Sequence, residues 1–397
     1  MSKSAPKVAI VAGEASGDLL GFHLIQALQA ERADITFIGI AGPKMMSLGA
    51  KSLYPMEKLS VRGYVEVLKH LFGLLKLRKQ LLQQLIDEKP DVFVGIDAPD
   101  FNFWLERKLK SKGIPTIHYV SPSIWAWRKG RIHKIRRAVS HMLALFPFEP
   151  PIYEKVNVPV TYVGHPLADV LPIEPDVQGT REVLKIQPNV IVVAMLPGSR
   201  QSEVSQHAQL FVETAQIIQK EYAESQTTEV LFLVPLITRE TRAIFESAMH
   251  AAYQAQPELN FNMQIMFGHA HDAMEAADVV IVASGTATLE AALLKKPMVI
   301  TYRMPYLSWQ ILKRMQYLPF VGLPNILANK FLVPELLQHE ATPQNIADAT
   351  LRLLSDKTYL QTLKEAFTSI HHSLKQNSAA KAAKVVLGYL WWHWFVV

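Results

Sequence analysis

DVVIVASGTATLEAALLKKPMVITYR, residues 278–303, carries the reading of the fold. Val279 to Ala283 is a continuous apolar run, the pattern of a strand covered on both faces. Ser284, Gly285, Thr286, Ala287 and Thr288 follow, small residues that let a backbone approach a ligand closely. Leu289 to Lys296 has helical composition, with Lys295 and Lys296 set toward the negative end of its dipole. Pro297 stops it, and Met298 to Tyr302 reads as the next strand. N–H groups at such a helix start suit a diphosphate, and Glu290, a turn further in, suits a ribose diol. The same residues also fit plain capping and dipole compensation. This stretch by itself leaves the two readings level.

The same grammar recurs along the chain. Lys7 to Ala12 is a buried-type strand, Gly13 to Asp18 a turn, and Leu19 to Ala30 has helical spacing. The turn is not GxGxxG, so it is no dinucleotide fingerprint. It places Glu14 and Ser16 at the carboxyl end of the first strand, where doubly wound sheets bind ligands, and Asp18 reads as a helix cap. Further strands are expected at Ile35–Ile40, Asp91–Ile96, Ile114–Val120 and His141–Phe146. The strand at 91–96 delivers Asp97, a candidate general base, with Asp100 as the cap of the next helix. Residues 147–166 are proline-rich and read as the boundary between halves. The pattern then restarts: a strand at Val190–Met195 runs into Leu196-Pro197-Gly198-Ser199-Arg200 and a helix from Gln206. Gly-Ser-Arg between strand and helix is a favoured anion position, and the Arg200 fork fits a phosphate. Strands at Glu229–Pro235 and Asn262–Phe267 lead back to the opening stretch. His269, His271 and Asp272 lack evident outer ligands and are weak as a metal site. Asn325, in a proline-framed loop, either hydrogen-bonds a substrate or satisfies its own turn.

Composition bounds the rest. At 397 residues the chain is longer than one growing core sustains, so two domains are expected. Hydrophobic residues at 49% against 19% charged place it among globular proteins. It has no cysteine, which excludes a disulfide framework or thiolate metal site and fits a reducing cytoplasm. The start shows no signal-peptide pattern, and no run reaches the roughly 18 apolar residues of a membrane span. A net charge of +6 permits nucleic acid, phosphorylated substrates or anionic lipid without choosing among them.

Two stretches are unusual. Val61 to Leu82 implies a helix with Leu and Val on more than one face and Lys69, Lys76, Arg78 and Lys79 among them. It is either a core helix or a surface helix whose apolar side, with Val67, Leu68, Leu71, Phe72, Leu74 and Leu75, dips into a membrane. The end of the chain, YLWWHWFVV, must be covered by the other half, a second subunit or a membrane interface. The basic segment 128–137 reads as a phosphate or lipid contact or as a solvated helix face, since no nucleic-acid module surrounds it.

VAGEASGD (11–18), GIDAPDFN (95–102), HYVSPSIWAW (118–127), VGHPL (163–167), MLPGSR (195–200) with Glu203, and the stretch 284–303 occur in that order. Together they resemble the lipid-A-disaccharide synthases, peripheral-membrane glycosyltransferases of bacteria, over nearly the whole chain to about Asn329. The resemblance implies an α/β GT-B fold: two Rossmann-like doubly wound domains facing across a cleft. The bounds it suggests are 1–168 for the acceptor and membrane-facing domain, 169–370 for the UDP-sugar domain, and 371–397 for a helix and aromatic tail returning to the first domain or to a partner subunit. It implies an inverting, metal-independent transfer with no cofactor, UDP-diacylglucosamine being donor and lipid X, 2,3-diacylglucosamine 1-phosphate, acceptor. Carried over by motif, Asp97 is the base on the acceptor hydroxyl, and Glu14 helps to complete the catalytic site. Arg200, with Gly198 and Ser199, holds the UDP phosphates. Ser284, Gly285, Thr286 and Thr288 line the diphosphate, Glu290 takes the ribose, and Asn325 completes the site. The implied partners are the two lipid substrates, an anionic phospholipid surface on the cytoplasmic side of the inner membrane, and a possible homodimer, with no nucleic acid. The alternatives are a UDP-N-acetylglucosamine 2-epimerase on the same fold and a basic membrane- or RNA-binding protein.

Overall fold

The computed structural model describes residues 5–59, 64–126, 129–225, 229–256, 262–315 and 317–395, leaving aside the side chains of 64–71, 129, 223–225, 307, 311 and 391–395. The chain forms two units, one made of residues through Asp169 together with those from Ser373 on, the other of Val170–His372.

In the first unit the strands are β1 (Lys7–Ala12), β2 (Thr36–Ile40), β3 (Lys51–Ser52), β4 (Val92–Ile96), β5 (Thr116–Tyr119), β6 (His141–Ala144) and β7 (Val160–Tyr162). They form one parallel sheet in the order β3-β2-β1-β4-β5-β6-β7. The order reverses between β1 and β4, whose register puts Ala12 beside Ile96. Both strands are covered on both faces, which is why they read as unbroken apolar runs. Leu24, Ile25 and Leu28 of helix Ala15–Glu31 pack with Ala382, Ala383, Val386 and Leu390 of helix Ser378–Phe395 on one face, against Val8, Ile10 and Val94. Helices Tyr64–Glu88 and Pro99–Lys110 cover the other face, against Ala9, Val11 and Phe93.

Three expectations shift here. The apolar helix is neither wholly core nor wholly surface. Its later part is core, through Leu77, Leu81 and Leu85, and Leu74 also packs against that cluster. Phe72 and Leu75 stay exposed, Phe72 at 83%. Leu74 therefore leaves the candidate membrane face, while Val67, Leu68 and Leu71 lie outside the described side chains. Asp18 does not cap its own helix. Its carboxylate accepts from the N–H groups of Lys44 and Met45 at 3.0 and 3.1 Å, and so caps helix Pro43–Ser47. The proline-rich stretch 147–166 holds a helix, Pro150–Glu154, and β7, the last strand of this sheet. The tail helix buries one face in this unit, through Ala382, Ala383, Val386 and Leu390, its start held by Asp169, which accepts from Asn377 and Ser378 N–H at 2.8 and 2.6 Å. The aromatic side chains after Leu390 lie outside the described residues.

The second unit repeats the plan with β8 (Ile191–Leu196), β9 (Val230–Leu236), β10 (Asn262–Phe267), β11 (Val279–Ala283), β12 (Met298–Tyr302) and β13 (Glu335–Leu337). All pairings are parallel, in the order β10-β9-β8-β11-β12-β13, reversing between β8 and β11. The edge strands β3, β7 and β13 escape sequence reading because each is two or three residues long and only partly covered.

Candidate functional site

Each unit gathers its candidate residues where the strand order reverses, the crevice at which sheets of this kind take ligands. In the first unit Glu14 follows β1 and Asp97 follows β4. The two turns touch, since a Cβ at Gly13 would lie 2.9 Å from that of Ala98. Asp97 and Ala98 are both left-handed, with φ of 50° and 44°. Val120, at the end of neighbouring β5, has φ 83°, an outlier for a β-branched residue. Such strain persists only where surrounding contacts impose it. The Asp97 N–H donates to Tyr119 O at 2.9 Å, and Asn102 Nδ2 donates to Asp97 O at 2.8 Å. Asp100 does not cap the helix. No side chain caps that start, and the Asp100 carboxylate pairs with Arg131 instead. Lys134, Arg136 and Arg137 form a solvated face, and Arg128 lies outside the described residues.

In the second unit β8 ends in Gly198-Ser199-Arg200 and adjacent β11 in Ser284-Gly285-Thr286. The first loop already holds an anion. Glu203 Oε2 accepts from the N–H groups of Ser199 and Arg200 at 3.0 and 3.3 Å, and Oε1 from the Arg200 guanidinium at 2.8 Å. Gly198, at φ 125°, is glycine because a Cβ would meet Glu203 Cβ at 2.5 Å. In the second loop, among the described residues, the Ser284 N–H is spent on Thr301 O and that of Thr288 on Gly285 O, while those of Gly285, Thr286 and Ala287 between them have no protein acceptor. The Ser199 amide is thus already occupied by Glu203, while the Arg200 side chain is exposed, 69% accessible.

Glu290 is partly exposed and lies 3.5 Å from His271, whose imidazole it pulls above the ordinary histidine range. His271, a weak metal candidate by sequence, is an ion partner of Glu290 and Glu275. Thr288 and Asn325 are fully buried. The Thr288 hydroxyl donates to Gly285 O at 2.7 Å and shapes the loop instead of lining it. Asn325 spends its amide internally: Nδ2 donates to Val333 O and Glu335 Oε1, and Oδ1 accepts from Leu332 and Val333 N–H, all within 3.0 Å. Of the two readings open for Asn325, satisfying its own turn is the one the structure holds.

His207 carried no sequence signal beyond its place on the first helix after Arg200. It is buried, donates from Nδ1 to Glu203 O at 2.8 Å, and accepts at Nε2 from the N–H of Arg303 at 2.9 Å. Burial holds it below the usual histidine range, as an Nε2 acceptor requires. It ties the end of β12 to the loop bearing Arg200.

Comparison with known proteins follows the same lines. Residues 8–387 match the family described as lipid-A-disaccharide synthetase. A lipid-A-disaccharide synthase of Methylobacillus flagellatus is 63% identical over 97% of this chain and 100% of its own. One from Azoarcus sp. is 57% identical over 97% and 96%. Among solved structures, the glycotransferase of kitacinnamycin superposes with a TM-score of 0.63 at 16% identity, over 98% of this chain and 100% of its own. The UDP-GlcNAc 2-epimerase of Neisseria meningitidis gives 0.59 at 15%, over 97% and 99%. These last two likenesses establish the fold and nothing finer.

Proposed function

The chain belongs to the lipid-A-disaccharide synthase family of GT-B glycosyltransferases, and we propose that it joins the diacylglucosamine of a UDP-linked donor to O6 of 2,3-diacylglucosamine 1-phosphate. The product is the β-1′,6-linked disaccharide 1-phosphate, and UDP leaves. Asp97 accepts the proton of the acceptor hydroxyl as O6 attacks the anomeric carbon. Glu14, on the adjoining turn, orders the acceptor. As the bond from the anomeric carbon to the diphosphate breaks, charge accumulates on UDP. The N–H groups of Gly285 and Thr286 receive it together with Arg200, while Glu290 holds the ribose. On this reading the leaving group is stabilised by protein donors, and the UDP-sugar is a substrate with no resident cofactor or metal.

The observation that carries the proposal is the gathering of Glu14 with Asp97 at one strand reversal and of Arg200 with Ser284–Thr286 at the other. The acyl chains of both substrates reach the protein from a bilayer surface. Exposed Phe72 and Leu75 supply the contact on the cytoplasmic leaflet. No helix among the described residues is long and apolar enough to cross a membrane. Incubation with UDP-diacylglucosamine and lipid X, followed by mass spectrometry, tests the reaction. Disaccharide 1-phosphate and UDP in equal amounts support it. Conversion of UDP-N-acetylglucosamine to its 2-epimer without disaccharide would replace it.

A further inference from the structure

Beneath the strained turn of Asp97 lies a polar cluster that the reaction does not use directly. Asn102, Glu106 and His118 are all fully buried. Asn102 and Glu106 stand one turn apart on helix Pro99–Lys110 and press against β4 at Gly95. A Cβ there would meet Glu106 Oε1 at 2.3 Å and Asn102 Cβ at 3.0 Å, so only glycine admits them. His118 lies across from Gly95 on β5 and brings Nδ1 within 2.6 Å of Glu106 Oε1. Its ring is held against Phe103, with centroids 4.4 Å apart. Asn102 Nδ2 donates to Asp97 O at 2.8 Å and lies 3.4 Å from both Ile96 O and Val11 O. One amide thus touches the ends of both strands at the reversal.

The cluster is expensive. Asn102 Oδ1, Glu106 Oε2 and His118 Nε2 are buried without a partner among the described residues. An apolar filling of the same volume is generally as stable as a buried polar set or more so. Packing alone therefore does not account for these side chains. What they supply is a fixed donor under Asp97 O. With both Asp97 and Ala98 left-handed, the turn otherwise relaxes toward an ordinary conformation and re-aims the carboxylate.

We propose that Asn102, braced by the Glu106–His118 pair against Gly95, is a positioning residue that holds Asp97 in its left-handed conformation at the end of β4. This deepens the assignment of Asp97 as the base and rests on it.

The test compares Asp97→Asn, Asn102→Ala and the double variant Asn102→Ala with Ala98→Gly, measuring kcat, donor KM, UDP affinity and melting. Asn102→Ala is expected to lower kcat by about tenfold to a hundredfold, as misplacement of a reacting group does, with donor KM and UDP affinity unchanged. Glycine adopts positive φ freely, so Ala98→Gly in that background is expected to recover much of the lost kcat. A merely structural role predicts no such recovery. Wild-type kcat in Asn102→Ala, or a loss that Ala98→Gly leaves untouched, overturns the proposal. If Asn102→Ala does not fold, Asn102→Ser takes its place, with and without Ala98→Gly, and the same two outcomes decide. Wild-type turnover in Asp97→Asn instead removes the base assignment. An inactive Asp97→Asn beside a fully active Asn102→Ala removes only the role of Asn102.

Discussion

The two strand reversals are built alike and turned differently. At β8 and β11 the tight turns fall on glycine, Gly198 at φ 125° and Gly285 at φ 155°. At the first reversal they fall on Asp97 and Ala98 after β4, with Val120 left-handed at the end of neighbouring β5; aspartate tolerates that region, but alanine and valine do not favour it. The chemistry asked of each place accounts for the difference. On the proposed mechanism the second unit presents backbone N–H groups to an anion, and glycine lets the backbone come close at no cost in side chain. On the same mechanism the first unit must present a carboxylate at the strand end, so the residue at the bend cannot be glycine. The cost is carried by contacts beneath it.

The sharpest way to break this contrast is Asp97→Asn, which keeps the shape of the bend and removes its proton acceptor. Turnover is expected to fall by about 10²–10⁴-fold, while UDP binding by calorimetry stays at the wild-type value. Retained turnover would make the first bend a structural feature and leave its strain unexplained.

In the second unit the expected effects are on affinity. Arg200→Ala removes a charged donor and is expected to weaken UDP binding by roughly tenfold to a hundredfold, since such bonds contribute about 1.5–3 kcal/mol. Arg200→Lys should recover part of that, as a point charge without the fork. Gly198→Ala drives a methyl into Glu203 and should match the loss, because Glu203 shapes the loop that carries Arg200. Gly285→Ala meets nothing within 4 Å, so its effect is confined to backbone strain and should be smaller. Equal losses from the two glycine variants would mean that loop approach, not the Glu203 contact, governs the site.

How much of this was open to sequence reading follows from the same contrast. Buried parallel strands announce themselves as apolar runs, so the central strands of both sheets and the residues after them, Glu14, Asp97, Arg200 and Ser284–Thr286, are legible. What a side chain does after folding is not. Glu203 occupies the amides expected to wait for phosphate, and Asn325 and Thr288 are consumed by their own loops. Asp18 caps a helix distant in sequence. Only the Asp18 bond spans a long stretch of chain; the Glu203 and Thr288 bonds are three or four residues long, and what hides them is that the same side chains serve equally well for a ligand. His207 and the cluster of Asn102, Glu106 and His118 were missed because they are polar residues on mixed helices and a short strand, where nothing in the local pattern says that they are fully buried.

The helix Tyr64–Glu88 carries a contrast of its own, between a core end and an exposed end. Phe72→Ser with Leu75→Ser is expected to release the protein from vesicles containing phosphatidylglycerol while changing stability by no more than about 0.5 kcal/mol per site, the usual range for surface positions. Leu74 stays in place because it packs against the core. A melting temperature that drops sharply in the double serine variant would assign Phe72 and Leu75 to packing instead.

Acid should separate the two units more gently. In the first, burial pushes His141 and His165 down to about 4. His165 Nδ1 accepts from the N–H of Leu167 at 3.3 Å, a bond that a protonated ring cannot accept. A histidine whose folded pKa is depressed resists a proton that the unfolded chain takes up near 6.5. Its contribution is therefore whole above pH 6.5 and is lost as pH falls from there toward about 4, with no further loss below. In the second unit His271 has the opposite sign. Glu290 raises it, so its contribution is whole below the unfolded value and fades as pH rises through the folded one. Glu149, which burial raises to about 7, opposes the two histidines of the first unit, and His207, which burial lowers, acts in the second in their direction and against His271. With two groups against one in the first unit and one against one in the second, hydrogen exchange resolved by unit, at pH 7 and pH 5, should show protection declining more in the first unit than in the second. The accompanying drop in melting temperature is expected to be about 2–4 °C, the shift that one kcal/mol produces in units of this size. His165→Asn should reduce the decline in the first unit. An equal decline in both units, unchanged by that substitution, would place the acid sensitivity outside these histidines.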